Sequence, residues 1–151
     1  MLYTSIVLAY DGSLDGRRAL REGAEIAQQF QAHVHLLAVV RQTASAAIGQ
    51  SYDPRSLPSN EPEISQTILN EGVEILKGLG LDAQGHLVPG DPVEEIVKLA
   101  DAVQADLVVV GHRERGALAR WWRTPMSMSL LDKLKCSLLV GRKDLVPAEN
   151  T

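Results

Sequence analysis

Five short apolar runs alternate along this chain with stretches whose apolar residues recur at helical spacing, and that alternation leaves few ways to fold. Ser5–Tyr10 (SIVLAY), Val34–Val40 (VHLLAVV), His86–Val88, Ala105–Gly111 (ADLVVVG) and Ser137–Val140 (SLLV) read as strands. Runs without polar alternation belong to strands buried on both faces. Between them, Ala19, Leu20, Ala24, Ala27 and Phe30 mark a first helix, which Ser13 is placed to cap. Ile64, Ile68, Leu69, Val73 and Leu76 mark a second, ending near Gly78 and Gly80. A third opens on Asp91 as N-cap, Pro92 at the first helical position and Glu94 in a capping-box-like relation. Its buried stripe is Val93, Ile96, Val97, Ala100 and Val103, and Ser127–Lys135 reads as a last helix.

The order is therefore βαβαβαβαβ. Helices between buried strands demand right-handed parallel crossovers, and these build an open twisted sheet with helices on both faces. The expected fold is a single doubly wound α/β domain, and 151 residues suffice for its core. In such sheets ligands bind beyond the carboxyl ends of the strands, where the winding reverses. If the first and fourth strands flank that point, Asp11 and Gly111 face one crevice.

Composition narrows the function. The net charge of −4 supplies no global basic field to recruit nucleic acid. A lone cysteine, Cys136, forms no internal disulfide and fits a reducing compartment. The N-terminal MLYTSIVLAYDGS lacks a basic region before its short apolar run, and no stretch approaches the roughly 20 apolar residues of a membrane span. The expected compartment is the cytoplasm. Residues 41–61 are polar, hold two prolines and keep no period, so they read as a long mobile loop. Residues 143–151 read as a C-terminal tail.

Three blocks carry a resemblance. IVLAYDGS near the start, GDPVEEIVKLADAVQADLVVVG in the middle and CSLLVGR near the end resemble universal stress proteins, over residues 1–142. The resemblance implies a five-stranded parallel sheet in the order 3-2-1-4-5. It implies a homodimer formed through the last strand, here Ser137, Leu138, Leu139 and Val140. It also implies ATP or a related adenine nucleotide at the ends of strands one and four. Asp11 matches the aspartate that meets adenine or ribose, Ala9 and Tyr10 the neighbouring backbone, and Val39 the apolar wall. The family's phosphate signature is Gly, two residues, Gly, nine residues, Gly, then Ser or Thr. Gly111 keeps the first position, while Glu114, Thr124 and Pro125 occupy the others.

Those departures have chemical weight. A phosphate cradle points backbone N–H groups at anionic oxygens. Glu114 brings a negative charge there, and Pro125 has neither an N–H nor a hydroxyl. Against this stand Arg113, Arg115, Arg120 and Arg123, with Gly116 placed for an altered turn. Arginine meets phosphate in bidentate geometry. Arg113, Arg115 and Gly116 are therefore candidates for a rearranged anion site, with a solvated basic loop as the alternative.

Other features have blander readings beside the sharp ones. His33, His35 and His86 could bind zinc, but satisfied or surface histidines are commoner, and no metal is expected. Trp121 and Trp122 are a partner or membrane-surface contact, or else rings packed onto the sheet. Cys136 reads as a small buried hydrophobe. No Walker lysine, nucleophile elbow or acid–base pair emerges, so slow nucleotide hydrolysis has no residue to carry it. Two functions remain: a dimeric stress-response module with a degenerate nucleotide site, or an adenine-nucleotide sensor using the crevice between strands one and four.

Overall fold

The computed structural model describes residues 2–10, 14–40, 61–111 and 130–141. In chain order the elements are β1 (Ser5–Ala9), α1 (Leu14–Phe30), β2 (His33–Val40), α2 (Glu61–Gly78), β3 (Ala83–Pro89), α3 (Pro92–Ala102), β4 (Leu107–Gly111) and β5 (Ser137–Gly141). Residues 130–133 are helical. Every strand pair is parallel, and the sheet order is β3-β2-β1-β4-β5. This is the order that the resemblance implied.

β1 sits at the centre because its side chains can face no water. Ile6, Val7 and Leu8 are all at most 1% exposed. Ile6 and Leu8 point to the face covered by α1 and α2, where Ala24, Ala27, Leu69 and Leu76 meet them. Val7 points to the other face, with Leu37 and Val108, under Val93, Ile96 and Ala100 of α3. Two apolar layers thus clamp one sheet, as the unalternating strand composition requires.

The entry into the central strands is pinned by one carboxylate. Asp106 Oδ2 accepts from Thr4 N at 2.8 Å, Thr4 Oγ1 at 2.8 Å and Ser5 N at 3.0 Å. These donors, the Thr4 backbone first, hold its acid below the usual carboxylate range. The expected strand Ala105–Gly111 starts later, at Leu107, because Asp106 serves as this clamp. The same device aligns β1 with β4, whose pairs begin at Ile6↔Leu107.

β3 is longer than the expected His86–Val88. It runs over Ala83–Pro89 and pairs with β2 from Val34↔Ala83 to Val40↔Pro89. As an edge strand it is half covered, so Gln84 and Gly85 stand in it without an apolar run to announce them. Its end carries Pro89, which has no N–H to offer another strand.

The helix boundaries follow local chemistry. Asp91, in extended backbone, accepts from Glu94 N at 3.1 Å and caps α3, with Pro92 in the first turn. α2 closes in a Schellman turn: Gly80 at φ +82° donates to Lys77 O at 3.0 Å, and Leu81 to Leu76 O at 3.1 Å. α1 and α3 close in the same way, but with Gln31 and Gln104 at φ 53° and 51°. Ala32 donates to Ala27 O at 2.9 Å, and Ala105 to Ala100 O at 2.8 Å. A side chain in that left-handed region is strained, by about 1 kcal/mol. Gln104→Gly is therefore expected to raise stability by about 0.5–1 kcal/mol in urea unfolding, with an unchanged m-value. A loss of stability would mean that the Gln104 side chain contributes more than its backbone strain removes.

Candidate functional site

The carboxyl ends of β1, β2 and β4 rise together on one side of the sheet. β1 pairs with β2 up to Ala9↔Leu37, and Tyr10 N extends the ladder by donating to Leu37 O at 2.9 Å. β2 continues past that point, so Val39 stands two residues beyond the partner of Ala9. On the other side β4 ends at Gly111, which pairs with Gly141 at the end of β5. The winding reverses between β2 and β4, on either side of β1, and this is the switch point of the fold.

The side chains at this end divide cleanly. Ala9 and Val39 are partly exposed and border the α3 layer. Gly111 adds no side chain at the end of β4, whereas Gly141 at the end of β5 is buried against α1, where a Cβ would lie 3.3 Å from Ala19 Cβ. Tyr10 turns the other way, into the core under α1 and α2, and is 4% exposed. Only its backbone is left for the crevice. Its ring explains Gly72 of α2, because a Cβ there would lie 2.6 Å from Leu36 Cδ2 and 3.0 Å from Tyr10 Cε2.

Of the candidate ligand contacts, the structure therefore brings Ala9, the Tyr10 backbone, Val39 and Gly111 to one end of adjacent strands. Asp11, Arg113, Arg115 and Gly116 lie outside the described residues, as do Ser13, Glu114, Arg120, Trp121, Trp122, Arg123, Thr124, Pro125, the stretch 41–60 and the tail. What the described part offers is the partly exposed apolar side chains of Ala9 and Val39 at the carboxyl ends of neighbouring strands. Among the described residues no three of His, Cys, Asp or Glu are arranged to hold a metal ion.

One feature escaped sequence reasoning. The Tyr10 hydroxyl is buried and has no hydrogen-bond partner among the described residues. Nothing in the sequence marks which face of the strand end receives this side chain. The three histidines, weighed together in the sequence as a zinc set, do meet at the β2–β3 seam, with His33 Nδ1 2.8 Å from Asp82 Oδ2 and His35 Nδ1 3.0 Å from His86 Nε2. Alternation along β2 and the pairing Leu37↔His86 put them on one face. Cys136 is partly buried, and burial pushes its thiol up, with Asp106 and Asp101 adding to the effect, so it is held as the thiol. No helix among the described residues is long and apolar enough to cross a membrane.

An unpartnered buried hydroxyl costs about 1–3 kcal/mol. Tyr10→Phe is expected to leave the fold intact and to raise its unfolding free energy by about 1 kcal/mol. Chemical denaturation measures it, and a clear loss of stability would show that the hydroxyl has a partner in solution.

Comparison with known proteins places this arrangement. The model of the universal stress protein family matches residues 2–142. Universal stress protein MJ0531 of Methanocaldococcus jannaschii is 29% identical over 151 residues, covering 94% of this chain and 84% of that protein. Among solved structures, a universal stress protein in complex with cAMP superposes with a TM-score of 0.70 at 22% identity, covering 95% of this chain and all of that one (100%). The universal stress protein of Archaeoglobus fulgidus in complex with dAMP gives 0.64 at 22% identity, covering 94% of this chain and 100% of the other.

Proposed function

The chain belongs to the universal stress protein family, and on that footing we propose that it is a cytoplasmic stress-response module whose crevice between β1 and β4 takes an adenine mononucleotide. The observation that carries this reading is the convergence of the carboxyl ends of β1, β2 and β4 at the switch point, with Ala9, Val39 and Gly111 on them. The solved relatives in complex with cAMP and dAMP support a nucleotide with a single phosphate. Glu114, Thr124 and Pro125 argue in the same direction, since each weakens the backbone grip that a triphosphate tail needs. In this reading Asp11 meets adenine or ribose, and Arg113 and Arg115, freed by Gly116, meet the phosphate. No general base or metal-binding pair supports hydrolysis.

Calorimetry and thermal unfolding of nucleotide-stripped protein test the proposal, with AMP, cAMP, dAMP and ATP as titrants. Ligand at 100 times its dissociation constant is expected to add about 2.7 kcal/mol to stability. AMP or a cyclic or deoxy analogue should bind at least as tightly as ATP, and Asp11→Ala should weaken binding at least tenfold. No shift with any of the four at millimolar concentration leaves the other reading, a module with a degenerate site that acts through its surfaces. Glu114 and Pro125 are what favour that second reading.

Assembly is the second part of the proposal. β5 is an edge strand, and Val140 on it is 36% exposed. An unpaired apolar edge invites a second copy. Light scattering at micromolar concentration is expected to give twice the chain mass of 16.4 kDa, and Val140→Asp to shift the protein to monomer. A wild-type monomer overturns pairing through β5.

A further inference from the structure

Three imidazoles form a row on the α3 face of the sheet, across the seam between β2 and the edge strand β3. The rings of His33 and His35 lie 4.5 Å apart at 61°, and those of His35 and His86 lie 5.2 Å apart. His35 Nδ1 and His86 Nε2 are 3.0 Å apart, a hydrogen bond that holds a single proton: one ring donates and the other accepts. Asp82 Oδ2, 2.8 Å from His33 Nδ1, anchors the outer end of the row. His35 is 8% exposed, so water cannot spread a charge placed on it.

We propose that the His35–His86 pair in this row is an acid-sensitive latch, which ties edge strand β3 to β2 while the two rings share one proton and releases the strand when they take up a second. A second proton between His35 and His86 would set two N–H donors against each other at 3.0 Å and turn an attraction into a repulsion. β3 is the element free to respond, because it has β2 as its one neighbour in the sheet. Pairs further in, such as Val7↔Val108 in β1 and β4, carry no titrating group.

Among the described residues, Asp82 on His33 is the carboxylate in hydrogen-bond contact with the row. On β1 the partners of His33 and His35 are Ser5 and Val7. On β3 the partner of His35 is Gln84. α3, packed on this face, carries Glu94, Glu95, Lys98 and Asp101. Glu95 pairs with Lys98 at 3.4 Å, while Glu94 and Asp101 are exposed. Asp106 is occupied by Thr4 and Ser5. Among the described residues, Asp82 is the carboxylate that favours a proton on His35, and it is itself largely exposed.

The sign follows from this setting. Burial lowers His35 to about 4, with His33 and His86 adding to the effect, and burial followed by His33 lowers His86. When β3 leaves, His86 goes with it and His35, staying on β2, is uncovered on that side, so both return towards the ordinary imidazole value near 6.5. Between these values the open form binds protons that the closed form refuses, so opening rises as pH falls and the latch is tightest above 6.5.

Amide hydrogen exchange, followed by NMR at pH 7 and pH 5 and corrected for intrinsic rates, tests the latch. The open population of residues 84–88 is expected to rise roughly 20-fold at pH 5, from the linkage at His35 alone. Residues 6–8 of β1 and 107–109 of β4 should keep their protection. His35→Gln should remove most of the step. A step shared equally by β1 and β4, no step at all, or a step retained in His35→Gln overturns the proposal. Should His35→Gln fail to fold, the imidazole Hε1 resonances of the unaltered protein decide: His35 must remain neutral in the folded protein at pH 5, and a midpoint near 6.5 overturns the latch.

Discussion

The parallel pairing of β1 with β2 on one side and β4 on the other is the contact on which the molecule depends. It is made by a strand with no polar interior position, so β1 must be covered from both faces. Parallel neighbours force long crossovers, and the crossovers supply the cover as α1 and α2 on one face and α3 on the other. The same pairing reverses the direction of winding at β1, and the reversal puts the strand ends that carry Ala9, Val39 and Gly111 on one side of the sheet. Core and candidate site are thus consequences of one arrangement, and the clamp of Asp106 on Thr4 and Ser5 fixes its register.

Much of this was legible in the sequence, because buried strands write themselves as unbroken apolar runs. SIVLAY and VHLLAVV fall on β1 and β2, and the Asp91–Pro92 start is where α3 begins. The strand that was read short, β3, is the one that lies at an edge. Half-covered backbone tolerates Gln84 and Gly85, so composition loses its signal there while hydrogen bonding does not. Helix ends show the same split. Gly80 announces its turn, whereas Gln31 and Gln104 adopt the same left-handed backbone without any compositional mark.

The site was legible only as far as strand ends are. Ala9, Val39 and Gly111 could be assigned to one end because parallel register carries sequence position into space. Tyr10 shows the limit: the residue was placed correctly along the strand, but its side chain goes to the core, and that depends on Gly72 in a helix 62 positions later. The histidines show it from the other side. Their chemistry is visible singly, but the 3.0 Å contact between His35 and His86 exists only through the β2–β3 register. Long-range pairing, not residue type, decides what such groups do.

The two margins of the sheet are unlike. One ends in β3, whose outer strand includes Gln84 and terminates in Pro89, and the other in β5 with Val140 at the surface. A proline withholds one amide that a further strand would grip, so the two margins offer strand addition different terms. In the pairing proposed through β5, copies consume that margin in the meeting and leave the proline-ended one outward. Edge-to-edge growth in that arrangement would close in a pair, with no second apolar margin from which a filament could run on.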